Sequence, residues 1–385
     1  MNSKDLFVNG VREEIEKAYS PFLNDDLVIF GTGSYGRMML LELTNIGMRE
    51  CVVAFCDNDE RKWGTFVDGV LVCSVDRIME LYPNAIYVIA SSAYHEILNE
   101  LKSKQINIFK KSEFLHLVEM QLSFIQNNRE HDLVSYAGYW FDIYDKMQRE
   151  GKLTQYKEKI FSFLEDDESK QIIDNRLKFF TSGDISYIKK IPYEKEMYYS
   201  DRCFEIDKNE VFFDCGAYDG DSLCGFINYT RQRYNFVCAF EPDERNYCKL
   251  VNLVKENGWK KIELYQVATG KENGIVSFSN DGSGGAKIVG KGDYRVEVVR
   301  LDDFIEKKPT LIKMDIEGAE LDALRGAENL IKTLKPKLAI SIYHKWLDFY
   351  DIPLYLKSLV PEYKFKIRHH SKCLYDTVLY AYIQK

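Results

Sequence analysis

Val211-Phe212-Phe213-Asp214-Cys215-Gly216-Ala217-Tyr218-Asp219-Gly220-Asp221-Ser222 runs from an apolar strand through a glycine turn into the start of a helix. The next apolar run, Phe236 to Phe240, ends in Glu241-Pro242. Strand, glycine turn, helix, then a strand closed by an acid is the layout of a doubly wound α/β unit that holds a nucleoside at the carboxyl ends of its strands. Gly216 and Gly220 let the chain turn sharply and let a ligand approach the backbone. Asp221 or Ser222 can cap the following helix.

Three carboxylates, Asp214, Asp219 and Asp221, crowd a turn where a dinucleotide would put its pyrophosphate, and anion against anion is unfavourable there. A ligand with a ribose, no phosphate and a cationic centre suits the turn better, which points to S-adenosylmethionine. In that reading Asp214 faces the methionine ammonium, directly or through water, and Gly216, Ala217, Tyr218, Asp219 and Ser222 line the cofactor. Glu241 accepts the two ribose hydroxyls, and Pro242 fixes the chain beneath the adenine. Ile262 to Ala268 forms a third strand near the adenine edge, with Gln266 able to bond the base or simply to cap a turn, and Ala268 beside it. The plainer alternative for the turn is a tight crossing with a capping Asp and no ligand.

The fourth strand, Leu311-Ile312-Lys313-Met314, ends in Asp315-Ile316-Glu317-Gly318-Ala319-Glu320, and the fifth, Leu338 to Ile342, delivers Tyr343-His344-Lys345 to the same rim. Asp315 is the candidate to orient a substrate hydroxyl or take its proton. His344 joins it as a second catalytic candidate, since an ordinary imidazole titrates near neutrality. A structural histidine is the competing reading.

Around this core the chain falls into three regions. Residues 1–112 alternate strands and helices from Leu27 onward and read as a Rossmann-like, nucleotide-binding type of domain. Residues 113–195 have few strand signals and apolar residues at helical spacing, among them Phe114, Leu117, Val118 and Leu122, then Ile172, Ile173 and Leu177. They read as a helical connector, with Glu165-Asp166-Asp167-Glu168-Ser169 opening a helix because acids favour its positive end. Residues 196–385 form the second α/β domain. Strands are expected at 210–214, 236–240, 262–267, 275–278, 296–299, 310–314 and 337–342, with a late antiparallel pair at 364–367 and 377–383.

The first domain has its own glycine turn, Gly31-Thr32-Gly33-Ser34-Tyr35-Gly36, with Asp57 closing the next strand. No acid lies inside that turn, so it could take a phosphate at a helix N-terminus, with Asp57 on a ribose. A tight strand-to-helix crossing explains the same residues. A nicotinamide oxidoreductase or a nucleotide-sugar binding module built on this domain is therefore the rival reading. The aromatics Tyr136, Tyr139, Trp140, Phe141 and Tyr144 read as core rather than a sugar platform, and Asp281 to Ala286 as a lid or a plain hairpin.

Composition is that of a globular enzyme, with 45% hydrophobic and 29% charged residues over 385. The formal charge of −8 argues against nucleic acid or an anionic membrane as the main partner. No apolar run approaches a membrane span, and Met1 to Glu16 is polar and mixed in charge. Nine scattered cysteines read as reduced thiols in the cytoplasm. Oligomeric state is left open.

From about residue 165 to the C-terminus the chain resembles the FkbM family of S-adenosylmethionine-dependent O-methyltransferases. The matching pieces, in order, are Asp167-Glu168-Ser169, Asp214 to Asp221, Phe240-Glu241-Pro242, Lys313 to Glu320, Ser341 to Lys345 and Arg368-His369-His370 leading to Asp376 through Ala381. Asp376 departs from the family, which often has Glu there. The resemblance implies a class I methyltransferase fold and methylation of a hydroxyl on a sugar or glycan precursor. It does not settle whether a divalent cation assists, although Asp315, Glu317 and His344 could form such a site. The N-terminal domain resembles Rossmann-like domains attached to polysaccharide-biosynthesis enzymes.

Overall fold

The computed structural model describes residues 3–91, 93–126, 146–182, 184–199, 202–279, 287–289, 294–345, 347–372 and 375–384. The aromatic cluster from Tyr136 to Tyr144 and the stretch Asp281 to Ala286 lie outside them. The chain divides into two units, one of residues 1–145 with 177–189 and one of 146–176 with 190–385. Residues 113–195 are thus shared between the two, as the helices Glu113–Gln126, Lys152–Phe161, Asp167–Ser182 and Ser186–Lys189.

In the smaller unit β1 (Leu27–Phe30), β2 (Val52–Cys56), β3 (Phe66–Val67), β4 (Val70–Cys73) and β5 (Ile86–Ile89) form one sheet in the order β3-β4-β2-β1-β5. All its pairings are parallel except β3 with β4. β1 and β5 are buried along their whole length, as a sheet covered on both faces requires. The first glycine turn leaves β1, where the strand order reverses.

The larger unit carries β6 (Val211–Cys215), β7 (Phe236–Phe240), β8 (Ile262–Tyr265), β9 (Ala268–Thr269), β10 (Gly274–Ser279), β11 (Lys287–Val289), β12 (Tyr294–Val299), β13 (Leu311–Met314), β14 (Lys337–Ser341), β15 (Lys364–His369) and β16 (Thr377–Tyr382). Seven of these make a sheet in the order β15-β16-β14-β13-β6-β7-β8. Every pairing is parallel except those of β16, which runs against both β14 and β15. This is the class I methyltransferase arrangement, and the late antiparallel pair is the one the sequence indicates. The strands expected at 275–278 and 296–299 stand apart from it, in a second sheet ordered β11-β10-β12-β9. Their apolar residues alternate, with Val296 and Val298 buried while Arg295 and Glu297 face outward, so they form a one-sided sheet rather than a central strand.

The core on one face of the large sheet joins Phe212, Val237 and Ala239 to Leu223, Phe226 and Ile227 of the helix Asp221–Thr230 and to Leu250 of the helix Glu244–Glu256. Each fully buried Phe, Leu, Ile or Val of this set contributes about 1.5–3 kcal/mol. Phe212 and Phe226 stack at 4.4 Å between centroids, which holds the first helix against β6. β6 is central and the order reverses beside it, so the glycine turn opens where ligands enter open α/β sheets.

Candidate active site

Gly216 leaves β6 with φ +77°, and a Cβ there would stand 1.9 Å from the Asp315 carbonyl oxygen. Only glycine permits this close passage of the β6 and β13 ends. Gly220, at φ +99°, is the N-cap of the helix Asp221–Thr230. Asp214 lies under the turn, fully buried. Its Oδ2 accepts the Ser222 hydroxyl at 2.6 Å, and its Oδ1 is 3.1 Å from the Lys313 Nζ. Burial raises this carboxyl, while Lys313 and Ser222 pull it back. Lys313 is buried too and donates to the Gly216 carbonyl at 2.6 Å. Burial would lower its ammonium, but Asp214 and Asp315 outweigh that and raise it. The expectation that Asp214 faces a cofactor ammonium thus meets a carboxylate already engaged inside the protein. Asp219 is partly exposed and Asp221 exposed, so these two remain to colour the turn negative; Ser222 is buried and Ala217 fully so, whereas Tyr218 is exposed.

Glu241 closes β7. Its Oε2 accepts the Tyr218 N–H at 2.8 Å and its Oε1 the Asp243 N–H at 2.9 Å, which ties the acid to the glycine turn. The side chain is only 6% exposed, and burial raises its carboxyl to about 7 against the pull of those two N–H groups. Each oxygen keeps a second lone pair for a hydroxyl donor. Pro242 is half-buried after it, and Asp243 caps the helix Glu244–Glu256 by accepting from Asn246 N. Gln266 is exposed between β8 and β9, and Ala268 is buried at the start of β9.

At the ends of β13 and β14, Asp315 and His344 meet as the sequence suggests. His344 Nε2 is 3.4 Å from Asp315 Oδ1 and 3.7 Å from Glu317 Oε2, while its Nδ1 is 2.9 Å from Glu320 Oε1. Asp315 Oδ2 accepts the Tyr198 hydroxyl at 2.6 Å, and Oδ1 the Tyr343 hydroxyl at 3.2 Å. Burial raises the Asp315 carboxyl, but His344 and Lys313 outweigh it and hold it below the usual range. The His344 imidazole is not near neutrality. Burial would lower it, yet Glu320, Asp315 and Glu317 together raise it to about 10. It therefore carries a proton at neutral pH. Two further acids sit in this neighbourhood, Asp376 raised to about 6 by burial and Asp315, and Asp348 raised to about 8 by burial and Glu320.

Lys313, Tyr198 and Glu320 belong to this site although the sequence reading gave them no role. Lys313 and Glu320 lie within the motif already quoted, and the signal was a lysine in an otherwise apolar strand, which must find a buried partner. Tyr198 comes from the segment before β6 and carries no motif. The remaining matched pieces are structural. Asp166 caps the helix Asp167–Ser182 by accepting from Ser169 N at 2.9 Å, and buried Arg368 on β15 grips Asp166 Oδ2 at 2.6 Å. His369 meets Thr377 Oγ1 at 2.8 Å.

In the smaller unit Asp57 accepts from the Thr32 N–H and hydroxyl, from Lys62 Nζ at 2.9 Å and from Asp59 N at 3.0 Å. Gly31 has φ +114°, and a Cβ on Gly36 would stand 1.9 Å from the Gly31 carbonyl oxygen, so strand-to-helix packing alone demands both glycines.

Residues 214–367, from the buried Asp214 into β15, match the methyltransferase FkbM domain. Over that stretch the chain is similar to FkbM methyltransferases. A crystal structure of methyltransferase FkbM from Methylobacillus flagellatus aligns with 99% of this chain and 99% of its own, at 25% identity and a TM-score of 0.60. That alignment extends beyond residues 214–367 to the smaller unit. Hexuronic acid methyltransferase AglP of Haloferax volcanii is 26% identical over 155 residues, 38% of this chain, and the chain spans 62% of that relative's length. Methyltransferase 1 of Beauveria bassiana is 21% identical over 192 residues, covering 41% of this chain and 76% of that one. No helix among the described residues is long and apolar enough to cross a membrane.

Proposed function

We propose that this protein is an S-adenosylmethionine-dependent O-methyltransferase whose acceptor is a hydroxyl of a sugar or glycan precursor. The observation that carries the reading is Glu241, a buried carboxylate bonded to the glycine turn at the end of β7, the strand that pairs with β6 on the side away from β13 and Asp315. A ribose needs such an acceptor of two hydroxyls, and Gly216 provides backbone without a side chain in front of it. Residual negative charge from Asp219 and Asp221 suits a sulfonium and disfavours a pyrophosphate. The donor supplies an electrophilic methyl group when bound.

The protein's own part is positioning and proton removal. Asp315, ionised and fixed by Tyr198 and Tyr343, takes the proton of the acceptor hydroxyl as oxygen attacks the methyl carbon. His344, protonated between Glu320 and Asp315, keeps that carboxylate oriented, so its share is a positive charge rather than a free base. Gln266, Pro242 and Ala268 border the base-binding side. The sugar acceptor draws its support from the hexuronic acid methyltransferase among the relatives. A dinucleotide or nucleotide-sugar reading of the smaller unit draws less, because Asp57 is engaged by Thr32 and Lys62. Free thiols at all cysteines among the described residues agree with a reducing compartment, and we place the protein in the cytoplasm. Incubation with deuteromethyl-labelled donor and a panel of uronic acid and neutral glycosides, read by mass spectrometry, tests the function. Labelled O-methyl product supports it, and label on nitrogen or on no acceptor refutes it.

A further inference from the structure

We infer that Asp315, Glu317 and His344 ligate a divalent cation, with Glu320 as the carboxylate that orients the histidine. One oxygen of Asp315, one of Glu320 and a ring nitrogen of His344 lie within 4.8 Å of one another. The histidine is set as a ligand is set. Glu320 Oε1 accepts the backbone N–H of Ile316 at 2.9 Å and of Gly318 at 3.3 Å, and the same oxygen stands 2.9 Å from His344 Nδ1. That contact directs Nε2 toward Asp315 Oδ1 at 3.4 Å and Glu317 Oε2 at 3.7 Å. A carboxylate behind the far nitrogen of an imidazole is the usual support of a metal-bound histidine. Neighbouring ligands of one octahedral ion sit about 3 Å apart, so a small inward rotation of the two partly exposed acids completes the set.

A second, separate observation points the same way. Glu320 is 0% exposed, and its Oε2 is buried with no hydrogen-bond partner among the described residues. A buried anionic oxygen without a donor is costly, and a cation in the adjoining cluster relieves it. Lys313, the buried cation nearby, is already engaged by Asp214. Mixed carboxylate and imidazole ligands favour an ion of the Mn²⁺ kind over Ca²⁺ or Mg²⁺. On binding, the ion takes the place of the Nε2 proton, which leaves to solvent, and supplies beside Asp315 the positive charge that protonated His344 gives in the ion-free protein. Its role rests on the methyl-transfer reading: two adjacent hydroxyls of a sugar would chelate it, and the bound hydroxyl would lose its proton more readily.

The test is a titration of MnCl₂ into the full chain, stripped with chelator, with no donor or acceptor present, followed by calorimetry and electron paramagnetic resonance. One ion per chain is expected. Asp315→Asn should abolish binding, and Glu320→Gln should weaken it about 10–100-fold. Glu317→Gln, at a residue 39% exposed in its side chain, should weaken it without threatening the fold. Native protein that binds no Mn²⁺, or equal binding by all three folded variants, overturns the assignment. Cofactor affinity is read separately with S-adenosylhomocysteine, so loss of the cation site would leave the methyl-transfer reading standing, and the reverse.

Discussion

Glu241 concentrates the cofactor argument in one side chain. Held at about 7 by burial, it is raised above an ordinary glutamate, so the folded protein keeps this proton to higher pH than the unfolded chain does. Ionising it costs stability as pH rises between the ordinary carboxylate range and about 7. Ribose hydroxyls, however, donate best to the ionised form. Affinity for S-adenosylhomocysteine should therefore rise as pH increases through about 7, and Glu241→Gln should both flatten that profile and weaken binding roughly 10–100-fold, measured by calorimetry. Asp315→Asn should lower kcat by about 10²–10⁴-fold with cofactor affinity retained, which separates proton removal from binding. Glu241 and Asp315 were readable in the sequence because each follows directly on an apolar strand, whereas Glu320 was not. Their electrostatics were not. His344 seen alone suggests a neutral-pH base, and only the meeting of Glu317 and the helix-opening Glu320 with Asp315 shows it to be charged.

At the scale of elements, the ends of β6 and β13 depend on one glycine and one buried ion pair. Gly216→Ala would drive a methyl group into the Asp315 carbonyl and force a positive φ on a residue with a side chain. The left-handed backbone alone costs about 1–2 kcal/mol, and the clash adds to it, so a clear loss of melting temperature and of cofactor binding is expected. Lys313→Met would strand Asp214 without its cation, at a cost of about 3–5 kcal/mol, and Asp214→Asn in the same chain should restore part of it. Thermal melts of the single and double variants check this coupling. The order of elements was legible, down to the antiparallel final pair, because strand periodicity and turn residues are local signals. The separate sheet of β9 to β12 was not, since a run such as Gly274–Ser279 shows where a strand lies but not which neighbour it pairs with.

For the molecule as a whole, two α/β units repeat one sequence pattern with different outcomes. In the smaller unit the glycines are required by packing, and Asp57 is engaged by Thr32 and Lys62. In the larger unit Glu241 is held only by the backbone N–H groups of Tyr218 and Asp243 and keeps lone pairs for a ligand. A glycine fingerprint read from sequence cannot tell these cases apart, because the distinction lies in whether the second-strand acid is engaged by side chains from elsewhere. Calorimetric titration of S-adenosylhomocysteine into the full chain, set against NAD under the same conditions, tests the central claim most directly. Saturable binding of S-adenosylhomocysteine at one site per chain, lost or much weakened in Glu241→Gln, is the expected result. Folded protein that ignores S-adenosylhomocysteine, or binds NAD more tightly, would contradict it.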